Sequence, residues 1–301
     1  MQRYTYCWAL AGIIIWWACR QSPAPPLIPA PDPIAPAATS IATPIPHYAW
    51  LARYDAAQTL AARIQPPAGY ERVATEAGSF AEWLRYLPLK AGRPDVLLWN
   101  GQPKHNQSAH AAVLQIDVGD KDLQQCADAV MRLRAEYLWS AKRYGDIQFR
   151  FTSGHNAPYT QWRQGYRPLI SGNKVSWVKK AQPNSDYANF KQYLQQIFTY
   201  CGTSSLSKEL RAVPNPTQIE AGDVWIRGGF PGHAVVVLDV VQDPNSGKKR
   251  FLLAQSYMPA QEIHLLNNPN NPAISPWYDT DFGNTLHTPE WDFDRQQLKR
   301  F

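Results

Sequence analysis

The spacing of apolar positions divides the chain near residue 47, with regular patterns only on the C-terminal side. Residues 111–118 form an apolar run that predicts a strand, and Gly119, Asp120 and Lys121 turn the chain after it. Leu123, Cys126, Ala127, Val130, Leu133 and Tyr137 then recur on one helical face, and Asp122 with Gln125 makes a capping-box-like pair that predicts where this helix starts. A second strand is expected over 147–151. Phe190, Tyr193, Leu194, Ile197 and Phe198 form the stripe of a helix over 187–200, stopped by Gly202. Strands are predicted over 223–226, 234–241 and 251–255, the last two as a hairpin across the turn at 243–247. Residues 267–301, rich in Asn, Pro, Trp and Asp, read as ordered irregular chain anchored by Trp277, Tyr278, Trp291 and Phe293. Helices and antiparallel strands in this order define an α+β class.

The first 46 residues carry a different message. One positive charge at Arg3 precedes an unbroken apolar stretch over 7–18, too short to span a bilayer comfortably and shaped like a secretory signal peptide. It ends in Ala18-Cys19, which resembles a bacterial lipobox, although Trp16 stands where an aliphatic residue is usual. Residues 21–46 contain nine prolines and almost no charge, the composition of a semi-rigid spacer. The expected organisation is a signal peptide over 1–18, a lipidated Cys19 with a proline-rich linker over 19–46, and one globular domain over 47–301. The expected location is the cell envelope, with the domain held to a membrane by an N-terminal lipid anchor. Arg20 and Gln21 supply no acidic export signal, so it should face the periplasm.

Composition adds exclusions. With 45% hydrophobic and 18% charged residues the chain is neither disordered nor a coiled coil. Thirty Lys and Arg against 24 Asp and Glu leave +6, but the basic residues are scattered, so no nucleic-acid footprint forms. His105, His155, His264 and His287 show no metal-ligand spacing, and no cofactor motif is present. Once Cys7 leaves with the signal and Cys19 is lipidated, Cys126 and Cys201 remain. They form a disulfide, or one of them is a protected thiol nucleophile.

Two resemblances follow from particular motifs. Asp186 to Phe190 opening a helix, then Gly202 to Leu206, Ala221 to Ile226 with its Gly-Asp, and Gly232-His233 opening a long strand resemble, in order, the NlpC/P60 superfamily of papain-like cell-wall peptidases. That resemblance implies a core of helices packed on an antiparallel sheet, here with an N-terminal elaboration. It also implies His233 as the base and a polar residue on the next strand as its orienter. Where the superfamily has a cysteine after the aspartate, this chain has Tyr187. Over its full length the chain also resembles a bacterial family defined by a domain of unknown function (4846). The motifs carrying this are residues 122–129, 228–233 and 254–261.

A papain-like hydrolase needs a thiolate, a histidine that accepts and returns its proton, and a group that orients the imidazole. His233 and Gln255 lie on adjacent predicted strands with the same parity, so their side chains share a face. Cys201 follows the helix over 187–200, where the helix dipole opposes a thiolate. Cys126, early in its helix, is better placed, although it shares a face with Leu123, Val130 and Leu133. His110, in a polar cluster before residue 111, is a second candidate base for Cys126. Asp117, Asp122, Asp128 and Glu136 offer carboxylates from which no pair stands out. Two functions are therefore expected: an envelope lipoprotein whose NlpC/P60-like domain has lost its nucleophile and binds peptidoglycan or a glycan near His233, or a cysteine peptidase or amidase using Cys126 with His233 or His110.

Overall fold

The computed structural model describes residues 47–301, which form one compact unit. The signal peptide, Cys19 and the proline-rich spacer lie outside the described residues.

Six α-helices occur among the described residues: α1 (Leu60–Arg63), α2 (Phe80–Arg85), α3 (Cys126–Ser140), α4 (Tyr159–Arg163), α5 (Tyr187–Tyr200) and α6 (Thr203–Glu209). Helix α5 has the predicted bounds because Asp186 accepts the backbone N–H of Asn189 at 2.7 Å while Phe190, Tyr193, Leu194 and Ile197 are buried. Helix α3 starts later than the sequence suggests. Asp122 does not cap it, because its carboxylate accepts the backbone N–H of Ala260 at 2.6 Å. Asp128 fills the capping role instead, taking the Gln125 backbone N–H at 3.0 Å. Cys126 is therefore the first residue of α3.

The central sheet is antiparallel throughout, in the order β2 (His110–Val113), β11 (His264–Leu266), β10 (Lys249–Gln255), β9 (His233–Gln242), β8 (Val224–Arg227), β15 (Leu298–Arg300), β7 (Arg211–Ala212). Two short strands extend it: β1 (Glu71–Arg72) pairs with β9, and β12 (Tyr278–Asp279) with β10. Three hairpins stand apart: β3 with β4 (Gln148–Arg150, Asn156–Pro158), β5 with β6 (Tyr166–Ser171, Lys174–Lys179), and β13 with β14 (Thr285–His287, Asp292–Asp294). Residues 267–301 thus contribute strands, one of them inside the sheet, where the sequence pattern suggests irregular chain.

Strand β9 explains its own unbroken apolar run. Ala234, Val236 and Leu238 face a core shared with Ala127, Val130 and Leu206, while Val235, Val237 and Val240 face a second core of Trp225, Phe251, Phe293 and Leu298. A strand covered on both faces needs apolar residues at every position. Its one charged residue, Asp239, sits where the β9–β10 register slips and is fully buried. Arg72 and Arg85 reach its carboxylate at 2.9 and 2.8 Å.

Candidate functional site

The loop leading into α3 is fastened to the chain that leaves β10. Ser256 Oγ donates to the carbonyl of Gln124 at 2.8 Å, and Asp122 holds Ala260. The start of α3 is thereby lodged at the end of β9 and β10 where His233 and Gln255 stand. Cys126 is 7% exposed, with the backbone N–H groups of Ala127 and Ala234 near its side chain. Those contacts and the helix dipole favour a thiolate, but burial, joined by the charge of Asp128, outweighs them and pushes the thiol up to about 11.

His233, the first residue of β9, is held by the next strand: its Nε2 lies 2.8 Å from Gln255 Oε1. Proton positions follow from the partners. Gln255 Nε2 lies 2.7 Å from Glu290 Oε2 and 3.4 Å from His264 Nε2, while His264 Nδ1 faces the carbonyl of Glu262 at 2.9 Å. His264 therefore carries its proton on Nδ1, and the Gln255 amide turns its NH2 toward Glu290 and His264. Its oxygen faces His233, which must carry its proton on Nε2, leaving the lone pair on Nδ1. Among the described residues His233 Nδ1 has no hydrogen-bond partner.

Aromatic rings enclose this imidazole, with the centroids of Tyr257, Trp291 and Phe293 at 4.7, 5.3 and 5.8 Å. Burial lowers His233 to about 4, with the Gln255 hydrogen bond acting the other way. His264 is lowered to about 3, again chiefly by burial. Thiol and imidazole are both neutral at rest, and no hydrogen bond joins them among the described residues.

The two depressed histidines make folding pH-dependent. The unfolded chain protonates them near pH 6.5, before the folded protein can. Their contribution is fully present above pH 6.5 and is lost as pH falls toward 4 for His233 and toward 3 for His264. Each one alone should lower stability by roughly 2 kcal/mol between pH 7 and pH 5. Asp128, raised by burial, opposes this loss at the acid end. Urea titrations at the two pH values check the effect, and His264→Leu should show a visibly smaller pH dependence than wild type.

Beside Cys126 opens a cleft of about 270 Å³, lined among others by Cys201, Thr203, Phe230, Met258 and Trp291. Phe230 is 98% and Met258 51% exposed, an apolar rim facing solvent. The wall at Gly232 has no room for a side chain, since a Cβ there would sit 2.3 Å from the carbonyl oxygen of Gly229. Asp128 also lines the cleft, and its buried Oδ1 has no hydrogen-bond partner. Cys126 and Cys201 share this cleft as free thiols. Burial, then the charges of Glu209 and Asp128, raise Cys201 far above an ordinary thiol.

Other candidates lie elsewhere. His110 is on β2, separated from β9 by β11 and β10, with Nε2 on the Pro94 carbonyl at 2.9 Å; it does not meet Cys126. Tyr187 donates to Glu136 at 2.7 Å, and α5 packs on α3 and α4. Glu136 and Asp117 are engaged by Arg132. No group of three metal-ligating side chains occurs among the described residues. The sequence reading does not assign Glu290 or Tyr257 to the site, and it names Trp291 only as an anchor and His264 only as a histidine without metal-ligand spacing. Gln255-Ser256-Tyr257 is at least part of a recognisable motif, whereas nothing local ties Glu290 to a residue 35 positions earlier.

Mixed helix and antiparallel sheet with a thiol, an imidazole and an amide gathered where a helix start meets two strand ends define an α+β protein with a buried polar site beside an open cleft. The family model described as a domain of unknown function (4846) matches residues 60–300, and the chain belongs to that family. No curated protein and no solved structure matches it.

Proposed function

We propose that this protein is a cysteine-dependent hydrolase of amide or peptide bonds with an NlpC/P60-like core, in which Cys126 is the nucleophile, His233 the base and Gln255 the orienter. The observation that carries the reading is that Cys126 opens the helix packed against β9, near Ala234, the residue after a histidine whose Nδ1 has no hydrogen-bond partner among the described residues. The nucleophile helix of this core is then α3 rather than α5, and Tyr187 is no longer a departure from the pattern.

Because both groups rest neutral, the proton moves during attack. His233 Nδ1 takes the thiol proton as the sulfur bonds to the substrate carbonyl carbon, and the imidazolium returns it to the leaving amine as the C–N bond breaks. Water, deprotonated by the same nitrogen, then cleaves the thioester and restores the thiol. The positive end of α3 favours the negative charge that develops beside it. In this reading the chemistry belongs to the cell envelope, which the signal-like composition of residues 7–18 and the lipobox-like Ala18-Cys19 support, with peptidoglycan peptides as the substrate class.

A second reading is a groove that binds a peptidoglycan or glycan fragment without cleaving it. The thiol held up at about 11 and the exposed Phe230 favour it. A vinyl sulfone electrophile followed by mass mapping separates the two. The hydrolase reading expects an adduct on Cys126 whose rate falls at least about tenfold in His233→Ala. Modification that is confined to Cys201, or that ignores His233, overturns it.

A further inference from the structure

We infer that Glu290 is a positioning residue that fixes the tautomer of His233 through Gln255, an assignment that rests on the hydrolase reading for its purpose but not for its test. A glutamine amide can present either its oxygen or its NH2 to a neighbour. With the NH2 toward His233, Nε2 would be the acceptor and the proton would move to Nδ1, which could no longer take a proton from Cys126. What decides between the two orientations is the far side of the amide.

There Glu290 Oε2 lies 2.7 Å from Gln255 Nε2, and a carboxylate can only accept. Reversing the amide would set oxygen against oxygen. Glu290 is itself tied down by an ion pair with Lys104, a lysine only 6% exposed, and by Asn106 Nδ2 at 3.4 Å. His264 Nε2, at 3.4 Å from the same amide nitrogen, supports the orientation more weakly. The carboxylate is delivered by the turn between β13 and β14, which Thr288 closes by hydrogen bonds with Trp291, so one hairpin brings both Glu290 and the ring that covers His233. A charge-assisted hydrogen bond of this kind gives one orientation an excess of about tenfold or more.

The test is the tautomer itself, read from multiple-bond ¹H–¹⁵N spectra of protein labelled in histidine. Wild type is expected to show His233 with a protonated Nε2 and a lone pair on Nδ1; the opposite tautomer in wild type overturns the proposal. In Glu290→Gln, and in the charge-free pair Lys104→Met with Glu290→Leu, the other tautomer should rise to a substantial fraction, with Glu290→Asp restoring the wild-type spectrum. A single Nε2–H tautomer in either folded variant overturns it. Vinyl sulfone labelling of Cys126 in the same samples should slow about in proportion to the lost tautomer. Spectra that respond while Cys126 stays inert remove the hydrolase reading and leave the positioning role. Spectra that do not respond while Cys126 labels normally do the reverse.

Discussion

Cys126→Ala is expected to reduce hydrolysis of a peptidoglycan-type peptide at least about a thousandfold, because without the sulfur no acyl intermediate forms. The side chain is small and already buried, so the fold should lose no more than about 1–2 kcal/mol, and circular dichroism should be unchanged. His233→Ala should fall to a similar level, since it removes the proposed base, and combining the two should add little, as for groups acting as a unit. Steady-state assays on the three variants check this pattern. Hydrolysis that survives in Cys126→Ala and disappears in Cys201→Ala would transfer the nucleophilic role to the other thiol of the cleft.

The largest stability effect is expected at Asp239. Its carboxylate is fully buried and is met by Arg72 Nε at 2.9 Å and by Arg85 Nη2 at 2.8 Å, while one oxygen also accepts the Val240 backbone N–H at 2.9 Å. Both arginines also donate to backbone carbonyls, Arg72 Nη2 to Ala61 and Ile64 and Arg85 Nη2 to Val73. Neither can turn to solvent without breaking those bonds. Asp239→Ala therefore strands one buried and one partly buried cation, at a cost of about 3 kcal/mol or more. Asp239→Asn, which keeps an acceptor but removes the charge, should cost less. Guanidinium unfolding of the two variants gives the comparison, and a loss in Asp239→Ala below about 1 kcal/mol would mean that the arginines find other partners. These contacts fasten residues 60–85 to β9, so the variant should also loosen α1 and α2.

Local signals account for what the sequence reveals of this fold. Helix α5 is legible because its apolar stripe, its aspartate cap and its terminating glycine agree within 16 residues. Strands β9 and β10 are legible as a hairpin, but the register at its turn, Gln242 with Lys249, would put His233 and Gln255 on opposite faces; the one-residue slip between Leu252 and Leu253, which no local pattern announces, brings them to the same one. The start of α3 is misread because Asp122 has the right residue type for a cap, yet a backbone N–H 138 residues away claims its carboxylate. That error matters for the site, since the three-residue shift places Cys126 first in its helix, at the positive end of the helix dipole. β15 has only three residues, and its neighbours β8 and β7 lie more than 70 positions earlier, so no local pattern announces it. Glu290 is hidden for the same reason: its partners, Lys104 and Gln255, come from two other parts of the chain.

Strand β9 is covered on both faces and paired on both edges, which has a consequence for motion on the timescale of minutes to days. Its central amides, from Val235 to Val241, can meet solvent only when the whole domain opens, so in deuterium they should be among the last to exchange, at the rate of global unfolding. The glycines and Phe230 immediately before it have no such cover and should exchange early. His233 sits at the boundary between the two regimes: its imidazole is carried by the strand expected to exchange last, and the exposed rim of the cleft by residues expected to exchange early.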